Sequence, residues 1–378
     1  MVEPASQRAP LHRTIPWGLI GFLVLAGGVE RFVARNALDF TRPDNWEWRL
    51  NGRAAVREAR SAGVLALGSS VVKQGVVPRA IAPAVGRPVF NLGMCAGSPP
   101  ASYFLLRRAL DAGARPKTVL VEFHTGMLTE SPWLTSVYWP EILDLRDSLD
   151  LALAARDARL FGAVTLARLL PSVRDRYTLR SAVLGALQGN DPSERVGALA
   201  VRRNVRTNLG AKLAPPRPGG ATAPLPGEAD SWACTPLNDR YIRRFLDLTA
   251  RHGVTVVWLL PPVRPDLQAK REANGVDAAY KAYACGLLAR YRHLAVVDAT
   301  RSGFPADSFI DGQHLDRRGA LALSAGLAGV LRDASRGLLS PGLWLPLPAP
   351  TGAAAPVAVA VEDMAESNRA VRRGLITR

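Results

Sequence analysis

Val64-Leu65-Ala66-Leu67-Gly68-Ser69-Ser70 is the stretch on which the fold turns. Four apolar residues run without interruption into a glycine and two small hydroxyl residues. A short apolar run bounded by a turn signal reads as a strand covered on both faces, the situation of a parallel sheet. Working outward, Pro88-Val89-Phe90-Asn91 reads as a second short strand. Ser98-Pro99 opens a helix, with serine as cap and proline in the first turn, and Gly113 closes it. Thr118-Val119-Leu120-Val121-Glu122-Phe123 is a third strand. Gly63 to Thr125 is therefore a β-α-β-α-β pattern, which predicts a doubly wound sheet.

The pattern is then interrupted. Leu149, Leu153, Leu160 and Val164 are spaced to share one apolar helical face, and helical character continues past Pro171 through Arg180 to Leu187. Lys212 to Gly227 is rich in Pro, Gly and Ala and reads as a linker. The α/β rhythm resumes with a helix near Tyr241 to Arg251 and a strand from Val254 to Leu260, stopped by Pro261-Pro262. A helix around Ala278 to Tyr291 leads to the strand Leu294 to Asp298. The last helix starts near Asp316 and carries Leu323, Leu327 and Leu331 on one face. These elements predict one α/β domain with a five-stranded parallel sheet in flavodoxin-like order, split by a helical insertion after the third strand. The expected divisions are a tail (1–14), a membrane anchor or signal segment (15–34), a tether (35–59) and the first half of the core (60–128). A helical insertion with its linker (129–235), the second half (236–335) and a poorly ordered tail (336–378) complete the chain.

Of the 378 residues, 48% are hydrophobic and 21% charged, which excludes wholesale disorder. Lys and Arg number 48 against 32 acidic residues, a formal charge of +16. The basic residues are spread along the chain with no block or stripe, so no nucleic-acid partner is expected. Arg202, Arg203 and Arg206 are the nearest thing to a cluster and read as a solvated surface. Three scattered cysteines supply neither a disulfide framework nor a zinc site, no histidines and carboxylates share metal-ligand spacing, and no cofactor is expected. Ile15 to Val29 contains no charged residue and no polar face. It falls short of the ~20 residues of a bilayer span, yet reads as a membrane anchor in preference to a cleaved signal. Four arginines follow it (Arg31, Arg35, Arg42, Arg49) and two precede it (Arg8, Arg13), a count that does not favour export. Long domains translocate regardless of that count, and a single-pass protein with its main domain on the periplasmic side is the expectation.

In open parallel sheets, ligands bind beyond the carboxyl ends of the strands. Those ends carry Gly68-Ser69-Ser70, Asn91-Leu92-Gly93, His124-Thr125-Gly126 and Pro261-Pro262. A serine at a helix start suits an oxyanion site, and it equally well caps the helix. A nucleophile elbow is excluded because Val72 stands where glycine is required. Further on, Phe309-Ile310-Asp311-Gly312-Gln313-His314-Leu315 places a carboxylate three residues before an imidazole. One turn at that spacing lets Asp311 accept from Nδ1–H of His314, freeing Nε2 to take a serine proton.

Gly68-Ser69-Ser70, Asn91-Leu92-Gly93 and Asp311-Gly312-Gln313-His314 together resemble the SGNH (GDSL-like) hydrolase superfamily, nearest to its membrane-tethered bacterial branch. The resemblance covers roughly residues 60–128 and 236–335. It implies a three-layer α/β/α fold in which Ser70 is the nucleophile, His314 the base and Asp311 its orienting acid. Ser69 stands where the family has aspartate. The Ser70 N–H would be one oxyanion donor, with Asn91 and the Gly93 neighbourhood as candidates for the second. The family's third block ends in an asparagine that Phe123-His124-Thr125-Gly126-Met127 lacks. Thr125 or His124 would have to replace it, although His124 also reads as a satisfied strand-end histidine. The implied activity is a serine esterase or O-acyltransferase acting on an acylated carbohydrate or lipid-like component of the cell envelope, with a membrane acyl-donor protein as a partner. The alternative, motivated by the missing asparagine, is a non-enzymatic envelope scaffold that keeps the fold. Cys95 reads as a small buried hydrophobe, and Trp133, Tyr138 and Trp139 read either as the lining of an acyl or sugar site or as lid or core packing.

Overall fold

A computed structural model describes residues 16–36, 43–176, 195–217, 231–349 and 359–374, with a few further positions between 180 and 189. Six strands form a single all-parallel sheet: β1 (Val64–Gly68), β2 (Val89–Asn91), β3 (Thr118–Glu122), β4 (Thr255–Leu260), β5 (Leu294–Asp298) and β6 (Trp344–Pro346). Their order is β2-β1-β3-β4-β5-β6. Helices α1 (Trp17–Asn36) and α2 (Pro43–Ala54) precede the sheet. Between β1 and β3 lie α3 (Ser70–Gly75), α4 (Pro78–Val85) and α5 (Pro99–Asp111). The insertion carries α6 (Thr125–Thr129), α7 (Leu145–Ala155), α8 (Ala158–Leu169), α9 (Pro171–Arg174) and α10 (Arg195–Thr207). Then come α11 (Pro236–Arg251), α12 (Pro265–Ala273), α13 (Val276–Arg290), α14 (Arg317–Ser335) and α15 (Met364–Arg372).

Successive strand residues point to opposite faces, and here both faces are covered. Leu65, Leu67, Val119, Val121, Val256 and Trp258 enter one core with Phe104 of α5, Phe245 of α11 and Tyr280 of α13. Val64, Ala66, Leu120, Val257 and Leu259 enter the other with Ile81 of α4 and Leu323, Leu327 and Leu331 of α14. This two-sided burial is why the strands are written as unbroken apolar runs. Each such Val, Leu, Ile or Phe side chain stabilises the fold by roughly 1.5–3 kcal/mol. Asp316 caps α14, its carboxylate accepting from the amides of Arg318 at 2.8 Å and Gly319 at 2.9 Å.

The sheet has six strands, not five, because Trp344-Leu345-Pro346 pairs with β5. That strand and α15 both come from the stretch expected to be a disordered tail. The expected tether is also part of the core: Trp48 on α2 is fully buried, donates to the Cys95 carbonyl at 2.9 Å and stacks edge-on against Trp139 at 5.2 Å. In the insertion, Leu149 and Leu153 do not share a face with Leu160 and Val164. Arg156 turns into the left-handed region and Asp157 caps a new helix, so α7 buries Leu151 and Ala152 while Leu149 and Leu153 are exposed. Residues 1–15, 218–230 and most of 177–194 lie outside the described residues, and with them the N-terminal tail and part of the linker.

Among the described residues, no helix is long and apolar enough to cross a membrane. Glu30 and Arg31 end the uncharged run of α1, and its thirteen helical residues from Trp17 to Val29 reach ~20 Å against the ~30 Å of a hydrocarbon core. The transmembrane helix, the single-pass placement and the periplasmic side inferred from them are withdrawn.

Candidate active site

β1 ends at Gly68, whose φ of +139° is open to glycine and strained for other residues. A side chain there would also run into the backbone carbonyl of Glu122 on β3. The chain then turns sharply, Ser69 caps α3, and Ser70 is the helix's first residue. This turn aims the Ser70 hydroxyl at His314, with Oγ 2.7 Å from Nε2. On the other side of the ring, Nδ1 lies 2.7 Å from Asp311 Oδ2.

The Asp311–His314 turn is held from several directions. The Ile310 amide donates to the His314 carbonyl at 2.9 Å, and the Arg264 amide to the Gly312 carbonyl at 2.9 Å. Asp311 Oδ1 accepts from the amides of Gln313 and His314, each at 2.9 Å. Burial would raise the Asp311 carboxyl, but the His314 ring and those amides outweigh it and hold it down at about 2. An ionised carboxylate only accepts, so the proton between Asp311 and His314 sits on Nδ1. Nε2 of the neutral ring is then the acceptor for the Ser70 O–H.

Beneath Ser70 lies a group that sequence reasoning passed over. Glu122 closes β3, is fully buried, and accepts from the Ser69 hydroxyl at 2.7 Å and the Ser69 amide at 3.2 Å through one oxygen, Oε2. Its Oε1 has no hydrogen-bond partner among the described residues. Burial pushes this carboxyl up to about 7, against the pull of Ser69, the His124 amide and His314. The available signal was a lone carboxylate as the last residue of an apolar strand.

The structure places Asn91 at the end of β2 and Gly93 in the loop that follows, whose amides are fully engaged. Asn91 is buried, with Nδ2 donating to the carbonyls of Val72 and Val76, both at 2.8 Å, and Oδ1 accepting the Gly93 amide at 2.8 Å. Leu92 donates to Ala66 at 2.7 Å, Met94 to Gly68 at 3.0 Å and Cys95 to Glu47 Oε1 at 2.5 Å. Asn91 thus ties α3 to the loop, and none of the four amides that follow it is open to a ligand. The Ser70 amide has no acceptor among the described residues.

Thr125, at the start of α6, is buried, and its hydroxyl is unpartnered among the described residues while its carbonyl accepts from Trp232 Nε1 at 2.9 Å. His124 is buried beside it with Nδ1 unpartnered, so it is not the satisfied histidine expected. Burial, with the charges of Arg271 and His314 behind it, pushes His124 down to about 3 and keeps it neutral. Under the loop, Lys73 Nζ donates to Asn51 Oδ1 at 3.2 Å, and Asn51 Nδ2 donates to the Gly93 carbonyl at 2.8 Å. Glu47, fully buried, pairs with Lys212 at 2.6 Å. Burial pushes Lys73 down to about 8 despite the opposing pull of Glu47. Burial likewise pushes the Cys95 thiol up to about 12, which removes it as a nucleophile. Trp139 is fully buried core, while Trp133 is exposed and donates to Asp157 at 2.8 Å.

Among the described residues no group of histidine, cysteine and carboxylate side chains is arranged to hold a metal ion. No protein-family model matches the chain, and no curated protein sequence matches it.

Proposed function

We propose that the protein is a serine esterase or O-acyltransferase acting through Ser70, His314 and Asp311 on an acylated carbohydrate or lipid-like alcohol. The observation that carries this is the unbroken hydrogen-bond line Ser70 Oγ, His314 Nε2, His314 Nδ1, Asp311 Oδ2, with 2.7 Å at both joints. Ser70 Oγ would attack the ester carbonyl as its proton passes to Nε2, and Asp311 would stabilise the imidazolium that forms. The Ser70 amide would take the developing oxyanion. His314 would then protonate the departing alkoxide, leaving an acyl ester on Ser70. Water or a second hydroxyl, deprotonated by the same nitrogen, would release the acyl group. A resemblance to SGNH hydrolases fits this assignment. So do the β2-β1-β3-β4-β5 order, which is flavodoxin-like, and helices on both sheet faces, which suit a three-layer α/β/α sandwich.

One observation favours a second reading, a scaffold that kept the fold without efficient catalysis. The loop expected to give a second oxyanion donor has every amide from Leu92 to Cys95 engaged, and one lost donor costs ~10²–10³ in rate. A fluorophosphonate probe separates the two. Labelling that vanishes in Ser70→Ala supports the enzyme. Folded wild-type protein that takes no label sinks it.

A further inference from the structure

Away from Ser70, α2 and α10 enclose a cleft of about 400 Å³. Four arginines line it in two pairs, Arg53 with Arg57 and Arg202 with Arg206. Within each pair the spacing is one helical turn. Arg202 and Arg206 share a face of α10, and the Arg57 amide donates to the Arg53 carbonyl at 3.1 Å, continuing the last turn of α2. All four are exposed, and none of their guanidinium groups has a hydrogen-bond or ion-pair partner among the described residues. Their neighbours behave differently: Arg203 pairs with Glu362 at 2.6 Å and Arg49 with Glu141 at 2.9 Å. Glu58 is the one acid among the cleft's lining residues, so four guanidinium charges face a single carboxylate.

Helix dipoles account for part of this. Arg53 and Arg206 lie in the last turns of their helices, where a cation is favoured. That explains one arginine per helix. It does not explain a second beside each, because like charges one turn apart repel, nor the convergence of both pairs on one concavity. A bound anion removes that repulsion. The planar guanidinium fork matches phosphate oxygens two at a time, which suits a cluster of arginines better than one of lysines. The remaining lining is apolar: Leu50 and Ala54 from α2, Val205 and Leu209 from α10 and its end, and Phe90 from β2.

We infer that this cleft binds a small organic diphosphate, its charged head between the two arginine pairs and an apolar arm against Phe90 and the aliphatic floor. A single phosphate carries about −1.5 to −2, less than the three positive charges left after Glu58 is subtracted, so a diphosphate is the better match. A small molecule fits better than a nucleic acid, because the arginines converge on one concavity and form no stripe along the surface. The cleft is joined to the Ser70 region through Asn51, which lines it and also holds the carbonyls of Leu92 and Gly93. The binding site stands on its own arginines and does not depend on the chemistry proposed for Ser70.

The test is calorimetric titration of the full chain with inorganic pyrophosphate and with geranyl diphosphate, at ionic strength fixed with sodium chloride. Saturable one-site binding is expected for both, tighter for the prenylated probe. Arg53→Gln/Arg57→Gln and Arg202→Gln/Arg206→Gln should each weaken both probes at least tenfold with unchanged circular dichroism, and Glu58→Gln should tighten them. The proposal is overturned if neither probe gives saturable heat above the chloride control, or if all three variants bind within twofold of wild type. Tight binding of a 20-nucleotide single strand that pyrophosphate does not displace also overturns it, in favour of a nucleic-acid surface.

Discussion

The Ser69 hydroxyl and the Ser69 amide converge on one oxygen of Glu122, at 2.7 and 3.2 Å, so the residue preceding Ser70 is anchored to the end of β3 by a buried carboxylate. Glu122 ionises near 4.5 when exposed and at about 7 in the fold. Between those values the native state holds a proton that the unfolded chain has lost, so stability falls as pH rises through this window and stays lower above it. At 1.36 kcal/mol per pH unit the penalty is on the order of 3 kcal/mol. Glu122→Gln keeps an acceptor for Ser69 without the charge. Urea unfolding should find it more stable than wild type at pH 8 and nearly equal at pH 5. The same difference at both pH values would show that Glu122 ionisation is not the cause.

Ser70→Ala, His314→Ala and Asp311→Asn should each reduce turnover of a model ester by roughly 10³–10⁴-fold while leaving the melting temperature within a few degrees. Ser70→Ala/His314→Ala should be little worse than either single change, because the members of one catalytic unit fail together. Multiplicative losses would mean that the two residues act separately.

Asn91→Ala removes three buried hydrogen bonds and leaves the Val76 carbonyl and the Gly93 amide unpaired, while the Val72 carbonyl keeps the Val76 amide. A loss of roughly 2–4 kcal/mol is expected in chemical denaturation. A loss below about 1 kcal/mol would show that the loop relaxes around the gap.

Glu47→Ala strands the Lys212 ammonium beside the buried Lys73. Removing one partner of a buried pair costs about 3–5 kcal/mol, against 0–1 kcal/mol for an exposed one. An equilibrium denaturation curve distinguishes those ranges.

Ending the chain at Ser340 deletes β6 and α15 and leaves the edge of β5 unpaired. The truncated protein should melt lower and aggregate on light scattering, as exposed strand edges do. A truncated protein that melts like the full chain would mean β6 adds nothing to the sheet.

The strands that could be read from the sequence are those covered on both faces. β1, β3, β4 and β5 appear as apolar runs because every position along them is buried except Thr255 and Asp298 at strand ends. β6 could not be read: Trp344-Leu345-Pro346 is three residues ending in proline, which an edge strand tolerates and an interior strand does not. Asp311 and His314 were legible because three residues span one turn. The expectation of an open oxyanion donor near Gly93 failed because side chains distant in sequence, Asn91 above it and Glu47 below, decide where those amides point. Glu122, Arg53 and Arg57 went unread, and Arg202 and Arg206 read only as solvated surface, for a similar reason, since each gains its meaning from a neighbour on another element.

The pairing of β3 with β4 across the whole helical insertion has a consequence for how the chain comes into being. Ser70 and His314 are 244 positions apart. At about 5–20 residues per second, a ribosome needs on the order of 10–50 s to travel from one to the other. For much of that interval β3 has left the exit tunnel while its inner partner is still untranslated. The nascent first half therefore presents an open strand edge to whatever chaperone or neighbouring polypeptide reaches it first. Contacts this distant in sequence also predict slow refolding from denaturant, in milliseconds to seconds or longer.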